Sequence, residues 1–298
     1  MNYMLCISNF ENYQKMIGSQ EKTIAHYNAV LNYFHDAVDF DDCRALSMDH
    51  IYDFAAWMDE KHLSIATRAN YLRHIKAFYH FLCNNAVIAE KTLWQEIKLP
   101  KPSKKIVQIY DDIEIAEIYK ACEVFSVELT ARNRCVISLM LDCGLRQDEV
   151  TKLTLSDLLS GDVVIVHGKG RKDRAVPIGK QLSFDLVNWL QYRPDVASDN
   201  LFLTRAGLPL TKNAIKMLFQ RITETVGYPV SSHRLRHNFA TNYLLDSYDK
   251  NGWFDCYSLM VLLGHEDIRT TERYLHYCQQ LVACRNAHSH LDKIYGLA

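Results

Sequence analysis

The segment Lys98–Lys105, KLPKPSKK, places two prolines and four lysines together with no apolar periodicity. Proline fixes φ and removes a backbone donor, so neither a helix nor a central strand runs through it. The chain therefore divides here. The expected organisation is a helical domain over residues 1–98, a basic linker over 99–107, and a second domain over 108–298 that ends in a tail.

The first part reads as amphipathic helices. One starts after Leu63, with Ser64 as cap, and sets Tyr71, Leu72, Ile75, Phe78, Tyr79 and Leu82 on a core face. Its other face carries Arg68, Arg73, His74 and Lys76, a set suited to phosphates or to plain solvent. Two more helices are expected over Glu21–His35 and Met48–Lys61.

In the second part Asp111 and Asp112 precede an apolar-periodic run to Cys122. A helix over Arg132–Cys143 then stops at Gly144, a residue suited to follow a helix C-terminus. The period next changes to two. Val163–His167 and Arg174–Ile178 read as strands joined by the basic turn Gly168–Asp173. Helices resume near Leu182–Tyr192, Thr211–Val226, Leu235–Asp246, Tyr257–Leu263 and Thr270–Tyr277. The fold class is mainly α with a small β-sheet: a helical domain followed by an α+β domain.

Composition narrows the function. With 298 residues and 48% hydrophobic content, the chain can bury a sizeable core. Its nine cysteines are odd in number and scattered without a CxxC pair, so neither a disulfide framework nor a thiolate zinc site is expected, and a reducing cytoplasm suits them. The opening MNYMLCISNF has no basic stretch followed by an apolar one, and no run of 18 apolar residues occurs, so neither secretion nor membrane insertion is expected. The formal net charge of −1 gives no overall excess of basic residues, yet binding to a polyanion follows the distribution of charge more than its sum.

Four pieces carry chemistry: Gly144-Leu145-Arg146-Gln147-Asp148-Glu149; His167-Gly168-Lys169-Gly170-Arg171-Lys172; His233-Arg234-Leu235-Arg236-His237; and Leu263-Gly264-His265, with Tyr274 nine positions beyond that histidine. Singly, each is ordinary: a surface arginine, a turn, a helix start, a core tyrosine. Together and in this order they closely resemble the catalytic domain of tyrosine recombinases, the family of phage integrases and Xer-type recombinases. The resemblance spans about Asp111–Tyr277, and the first hundred residues are similar, less specifically, to that family's core-binding domain.

The resemblance implies a site-specific recombinase that cleaves and rejoins DNA through a 3′-phosphotyrosine link. It assigns Tyr274 as nucleophile, Arg146 and Arg236 as phosphate clamps, His233 as proton partner, His265 as a phosphate or tyrosine contact, and Lys169 as the acid that protonates the leaving 5′ oxygen, with Lys172 as second candidate. These residue types fit the task. Arginine holds two oxygens in a planar fork, a phenol needs its proton removed, and fixed donors stabilise charge that develops on a phosphate. Glu149 reads as a buttress. His237 and His276 are set aside as ordinary histidines. Tyr277, three residues beyond Tyr274, is the competing nucleophile. No cofactor and no metal are expected.

The implied partners are double-stranded DNA sites, a homo-tetramer assembled on them, and accessory DNA-binding proteins; the implied setting is the bacterial cytoplasm. Two alternatives share some of these features. A type IB topoisomerase-like enzyme uses similar phosphate chemistry, and a silent DNA-binding regulator would lack one of Arg146, Arg236 or Tyr274. The link Ser247–Ser258 is longer than the family's usual one, and the apolar residues of the tail Gln279–Ala298 need a surface, on the same domain or on a neighbouring subunit.

Overall fold

The computed structural model describes residues 1–38, 40–90, 92–101, 108–159, 162–168, 173–286 and 290–296. The chain forms two compact units, Met1–Lys105 and Ile106–Ala298. Much of the expected linker, and the hairpin tip with Lys169 and Lys172, lie outside the described residues.

The first unit is helical: α1 (Tyr3–Met16), α2 (Glu21–Ala37), α3 (Met48–Glu60), α4 (Ile65–Asn84) and the single turn α5 (Leu93–Glu96). Ser64 caps α4, its side chain accepting from the Thr67 N–H at 3.1 Å. Leu72, Ile75, Phe78, Tyr79 and Leu82 then fall on one buried face, as their spacing requires. Phe78 sits 5.5 Å from Phe10 and 5.7 Å from Tyr3, ring to ring in edge contacts, and Phe34 meets Phe54 in the same way at 5.2 Å. The polar face of α4 is partly committed within the unit. Arg68 pairs with Asp59 and donates to the Leu63 carbonyl at 2.8 Å. Lys76 donates to the Ile97 carbonyl at 3.0 Å and lies over Trp94. Arg73 remains exposed.

The second unit begins with α6 (Asp112–Lys120), where Asp111 and Glu114 form a reciprocal cap. Next come α7 (Val127–Asp142), α8 (Gln147–Lys152), β1 (Leu158–Leu159), β2 (Val163–Val166), β3 (Arg174–Pro177) and α9 (Lys180–Tyr192). The strands form an antiparallel sheet in the order β1-β2-β3, with Val164 opposite Val176 and Val166 opposite Arg174. The second half of α7 lies inside the unit, with Cys135, Val136, Ile137, Leu139 and Met140 at 0–1% exposure on successive sides of the helix.

Helices α10 (Lys212–Val226), α11 (Ser232–Asn251), α12 (Cys256–Leu263), α13 (Arg269–Asn286) and α14 (His290–Ile294) complete the unit. A separate apolar cluster of Ala240, Leu244, Leu259, Leu263, Tyr274, Cys278 and Val282 binds α11, α12 and α13 together. The long link is mostly helix. α11 runs on to Asn251 and stops at Gly252, whose φ of 80° glycine adopts without strain.

Helix α13 also extends past its expected end, to Asn286. Val282 is buried in this unit's own core, and Arg285 pairs with Asp249 at 3.3 Å. Among the described residues of the tail, Leu291, Ile294 and Tyr295 keep large exposed apolar groups. Among the described residues no helix is long and apolar enough to cross a membrane.

Candidate active site

The site is organised by the C-terminus of α12. The last carbonyls of a helix lack intrahelical donors and carry partial negative charge, so arginines are held there favourably. The Leu263 carbonyl accepts from Arg236 Nη2 at 2.8 Å and from Arg146 Nη1 at 3.4 Å, and the Leu262 carbonyl accepts from Arg174 Nε at 2.7 Å. Arg236 also donates to the Gly144 carbonyl. Two glycines permit this approach. Gly144 and Gly264 both have φ of +63°, and an added Cβ would lie 2.4 Å from Phe239 at the first and 3.0 Å from Arg174 at the second.

Glu149 is the carboxylate among these arginines. Its oxygens accept from Arg174 Nη1 and Nη2 at 3.1 and 2.8 Å, from Arg146 Nη1 at 3.0 Å and from the Arg146 N–H at 2.8 Å, while Arg236 Nη1 lies 3.9 Å away. Burial alone would raise its pKa, but the hydrogen bonds and charge of Arg174 and Arg146 outweigh burial and hold Glu149 below the usual carboxylate range. Arg236 is buried at 3% exposure, whereas the Arg146 side chain is 46% exposed. Arg146 Nε and Nη2 make no hydrogen bond among the described residues, which leaves that side of its fork open to an anion.

The histidine tautomers follow from arginine being a donor only. Arg236 Nη2 lies 3.2 Å from His265 Nε2, so Nε2 accepts, the proton sits on Nδ1, and Nδ1 donates to Thr271 Oγ1 at 2.8 Å. Burial and the surrounding arginines push the His265 pKa down to about 4. Thr271 is fully buried one turn before Tyr274, so His265 ties Arg236 to α13.

Tyr274 is 2% exposed. Burial raises its hydroxyl pKa, while Arg273, Arg236 and Arg146 pull it the other way. Its hydrogen-bond partner is His237, with Nδ1 2.9 Å from the hydroxyl, and not the expected His233. His233 is exposed on the same helix face, one turn earlier, its ring centroid 4.4 Å from that of His237. Desolvation and the charges of Arg273, Arg236 and Arg146 lower the His233 pKa and favour its neutral form.

The structure thus brings Arg146, His233, Arg236, His265 and Tyr274 into one cluster and leaves Lys169 outside the described residues. Sequence reasoning passed over Arg174, Thr271 and the role of His237. Tyr277 is partly buried and makes no hydrogen bond among the described residues, and no group of three or more potential metal ligands is found among them.

The profile of the phage integrase family matches residues 109–280, and that of the phage integrase N-terminal SAM-like domain matches residues 9–85. The chain belongs to the phage integrase family. As a member it is a site-specific tyrosine recombinase, an enzyme that cuts and rejoins DNA.

Integrase-family relatives agree. The chain is similar to the tyrosine recombinase XerD of Listeria innocua serovar 6a, at 29% identity over 272 residues, 87% of this chain and 89% of that one. It is also similar to the tyrosine recombinase XerC of Lactobacillus delbrueckii subsp. bulgaricus, at 32% identity over 228 residues, 73% of this chain and 74% of that one. The fold matches the XerH site-specific recombinase solved on a palindromic difH substrate, with a TM-score of 0.72 and 24% identity over 88% of this chain and 78% of that one.

Proposed function

We propose that Tyr274 is the nucleophile of this recombinase. The carrying observation is that its buried hydroxyl shares one cluster with Arg146, Arg236, His233 and His265. On attack, the bond from the Tyr274 oxygen to phosphorus forms as the bond to the 5′ oxygen breaks, and the DNA 3′ phosphate becomes linked to the enzyme. Arg146 and Arg236 meet the charge that grows on the non-bridging oxygens. Their positions are fixed beforehand by the α12 carbonyls and Glu149, so little reorganisation is needed at the moment of reaction.

The hydroxyl proton passes to His233, which is neutral and free to accept it. Lys169 returns a proton to the departing 5′ oxygen. Resealing runs the same steps backwards with a new 5′ hydroxyl, and the phosphotyrosine bond conserves the energy, so neither metal nor nucleotide cofactor is called for.

The partners of this reading are double-stranded recombination sites in a bacterial cytoplasm, bound by the first unit and the catalytic unit together. Four protomers assemble on two such sites, with accessory DNA-binding proteins as further participants. The exposed Leu291 and Ile294 of α14, with Tyr295 just beyond it, support a tail that docks on a neighbouring protomer. Integration, excision and resolution of DNA dimers all use this chemistry.

Covalent capture tests the reading. The protein is incubated with a randomised library of nicked duplexes that trap the cleaved state, and the captured ends are sequenced. A defined site, and joint products when two copies of it are supplied, are expected. Relaxation of supercoiled DNA by isolated monomers, with no joint product, would instead indicate a type IB topoisomerase-like activity.

A further inference from the structure

We infer that His237 is a positioning residue for the nucleophile, holding the Tyr274 oxygen through an Nδ1–H donor while Arg273 fixes that tautomer from the opposite side of the ring. This rests on the reading of Tyr274 as nucleophile.

The argument is one of donors and acceptors. Arg273 Nη2 lies 3.0 Å from His237 Nε2, and a guanidinium only donates, so Nε2 accepts and carries no proton. A neutral imidazole then has its proton on Nδ1, which lies 2.9 Å from the Tyr274 oxygen. Nδ1 therefore donates and the tyrosine oxygen accepts. The reverse direction would leave both ring nitrogens without protons, an imidazolate that is not accessible near neutral pH.

Two consequences separate His237 from a proton acceptor. A donor aimed at the tyrosine oxygen favours the phenolate over the phenol, opposing the burial that raises the pKa of this group. It also occupies one lone pair, so the hydroxyl's own proton points away from His237 and leaves toward another group. Burial first, then the neighbouring His233 and the charges of Arg273 and Arg236, hold the His237 pKa down to about 3, so the ring stays neutral throughout the working range.

The geometry also joins elements. His237 lies on α11 beside Arg236, and Arg273 and Tyr274 lie on α13, so the hydrogen-bonded chain from Arg273 through His237 to Tyr274 pins the nucleophile helix to the helix that carries a phosphate clamp. Arg273 stands over the Tyr274 ring as well, 5.2 Å from its centroid.

NMR of the full-length protein, labelled with 15N-histidine and 13Cζ-tyrosine, tests the proposal without DNA. His237 should show a proton on Nδ1 and a bare Nε2, unchanged from pH 8 to pH 5. The Tyr274 phenol, assigned with Tyr274→Phe, should titrate at least about one pH unit lower in the wild type than in His237→Leu. His237→Asn, which keeps an N–H near the Nδ1 position, should recover much of that difference.

A proton on Nε2, or a His237 that titrates near pH 6.5, would overturn the proposal. So would a Tyr274 titration that His237→Leu leaves in place. If His237→Leu does not fold, the wild-type tautomer and the His237→Asn titration still decide. Failure of the underlying reading looks different: Tyr274→Phe would still form a covalent DNA adduct, and His237 would then hold a tyrosine that takes no part in cleavage, which also ends the proposal.

Discussion

Arg174 grips Glu149 with both ends of its guanidinium, Nη1 to Oε1 at 3.1 Å and Nη2 to Oε2 at 2.8 Å, and both side chains are at least nine-tenths buried. The pair links the turn end of the β2–β3 hairpin, where β3 begins, to the start of α8, beside Arg146. Removing Arg174 takes away two of the hydrogen bonds to the buried Glu149 carboxylate and leaves its charge to Arg146, with Arg236 at 3.9 Å. Arg174→Ala should therefore destabilise the second unit by about 3–5 kcal/mol, measured by denaturant unfolding. Arg174→Lys should recover only part of that loss, because an ammonium cannot reproduce the two-point contact. A cost below about 1 kcal/mol for Arg174→Ala would mean that solvent reaches the pair.

The motifs made five members of the cluster legible, since each stands at a fixed position in a recognisable segment. Arg174 was hidden by its setting, as a basic residue next to a basic hairpin tip reads as one more surface charge. A signal was nonetheless present: period-two alternation puts it on the same face as Val176, which is inward. His237 was hidden for another reason. Its partners Tyr274 and Arg273 lie 37 and 36 residues away along the chain, and no periodicity relates them. The helices were legible from their apolar spacing and caps. The extension of α13 was not, because Gln279 and Gln280 interrupt the apolar pattern just before Val282 returns to the core.

The two proposed clamps, Arg146 and Arg236, should separate by stability. Arg146→Lys keeps the charge on a half-exposed side chain but loses the fork, so single-turnover cleavage should fall by on the order of a hundredfold while thermal stability changes little. Arg236→Lys should lose cleavage and stability together, because Arg236 also satisfies the Gly144 and Leu263 carbonyls. Near-normal cleavage by Arg146→Lys would assign that arginine a structural part.

Acid should loosen the site through His265. Its folded pKa, about 4, lies below the ordinary value for histidine, so the folded form binds a proton less readily than the unfolded chain does. The stability linked to it is fully present above about pH 6.5 and is lost as pH falls from there toward 4. Melting temperatures measured between pH 7 and 4.5 should decline less steeply in His265→Gln than in the wild type. Parallel slopes would show that His265 is not a major source of the acid sensitivity.

The tail divides at Asn286. Truncation after Gln280 removes Val282 from the core and the Arg285 pair with Asp249, so it should lower thermal stability. Truncation after Asn286 removes residues 287–298, α14 among them, and should leave folding and single-site DNA binding intact while cooperative assembly is lost. Normal assembly by this shorter truncation would show that α14 does not bridge protomers.

The nucleophile itself is the most direct test. The covalent complex captured on a nicked duplex is digested, and the residue bearing the nucleotide is located by mass spectrometry. The account predicts the adduct on Tyr274 and its disappearance in Tyr274→Phe, with DNA binding retained. An adduct on Tyr277, or one that persists in Tyr274→Phe, would contradict it.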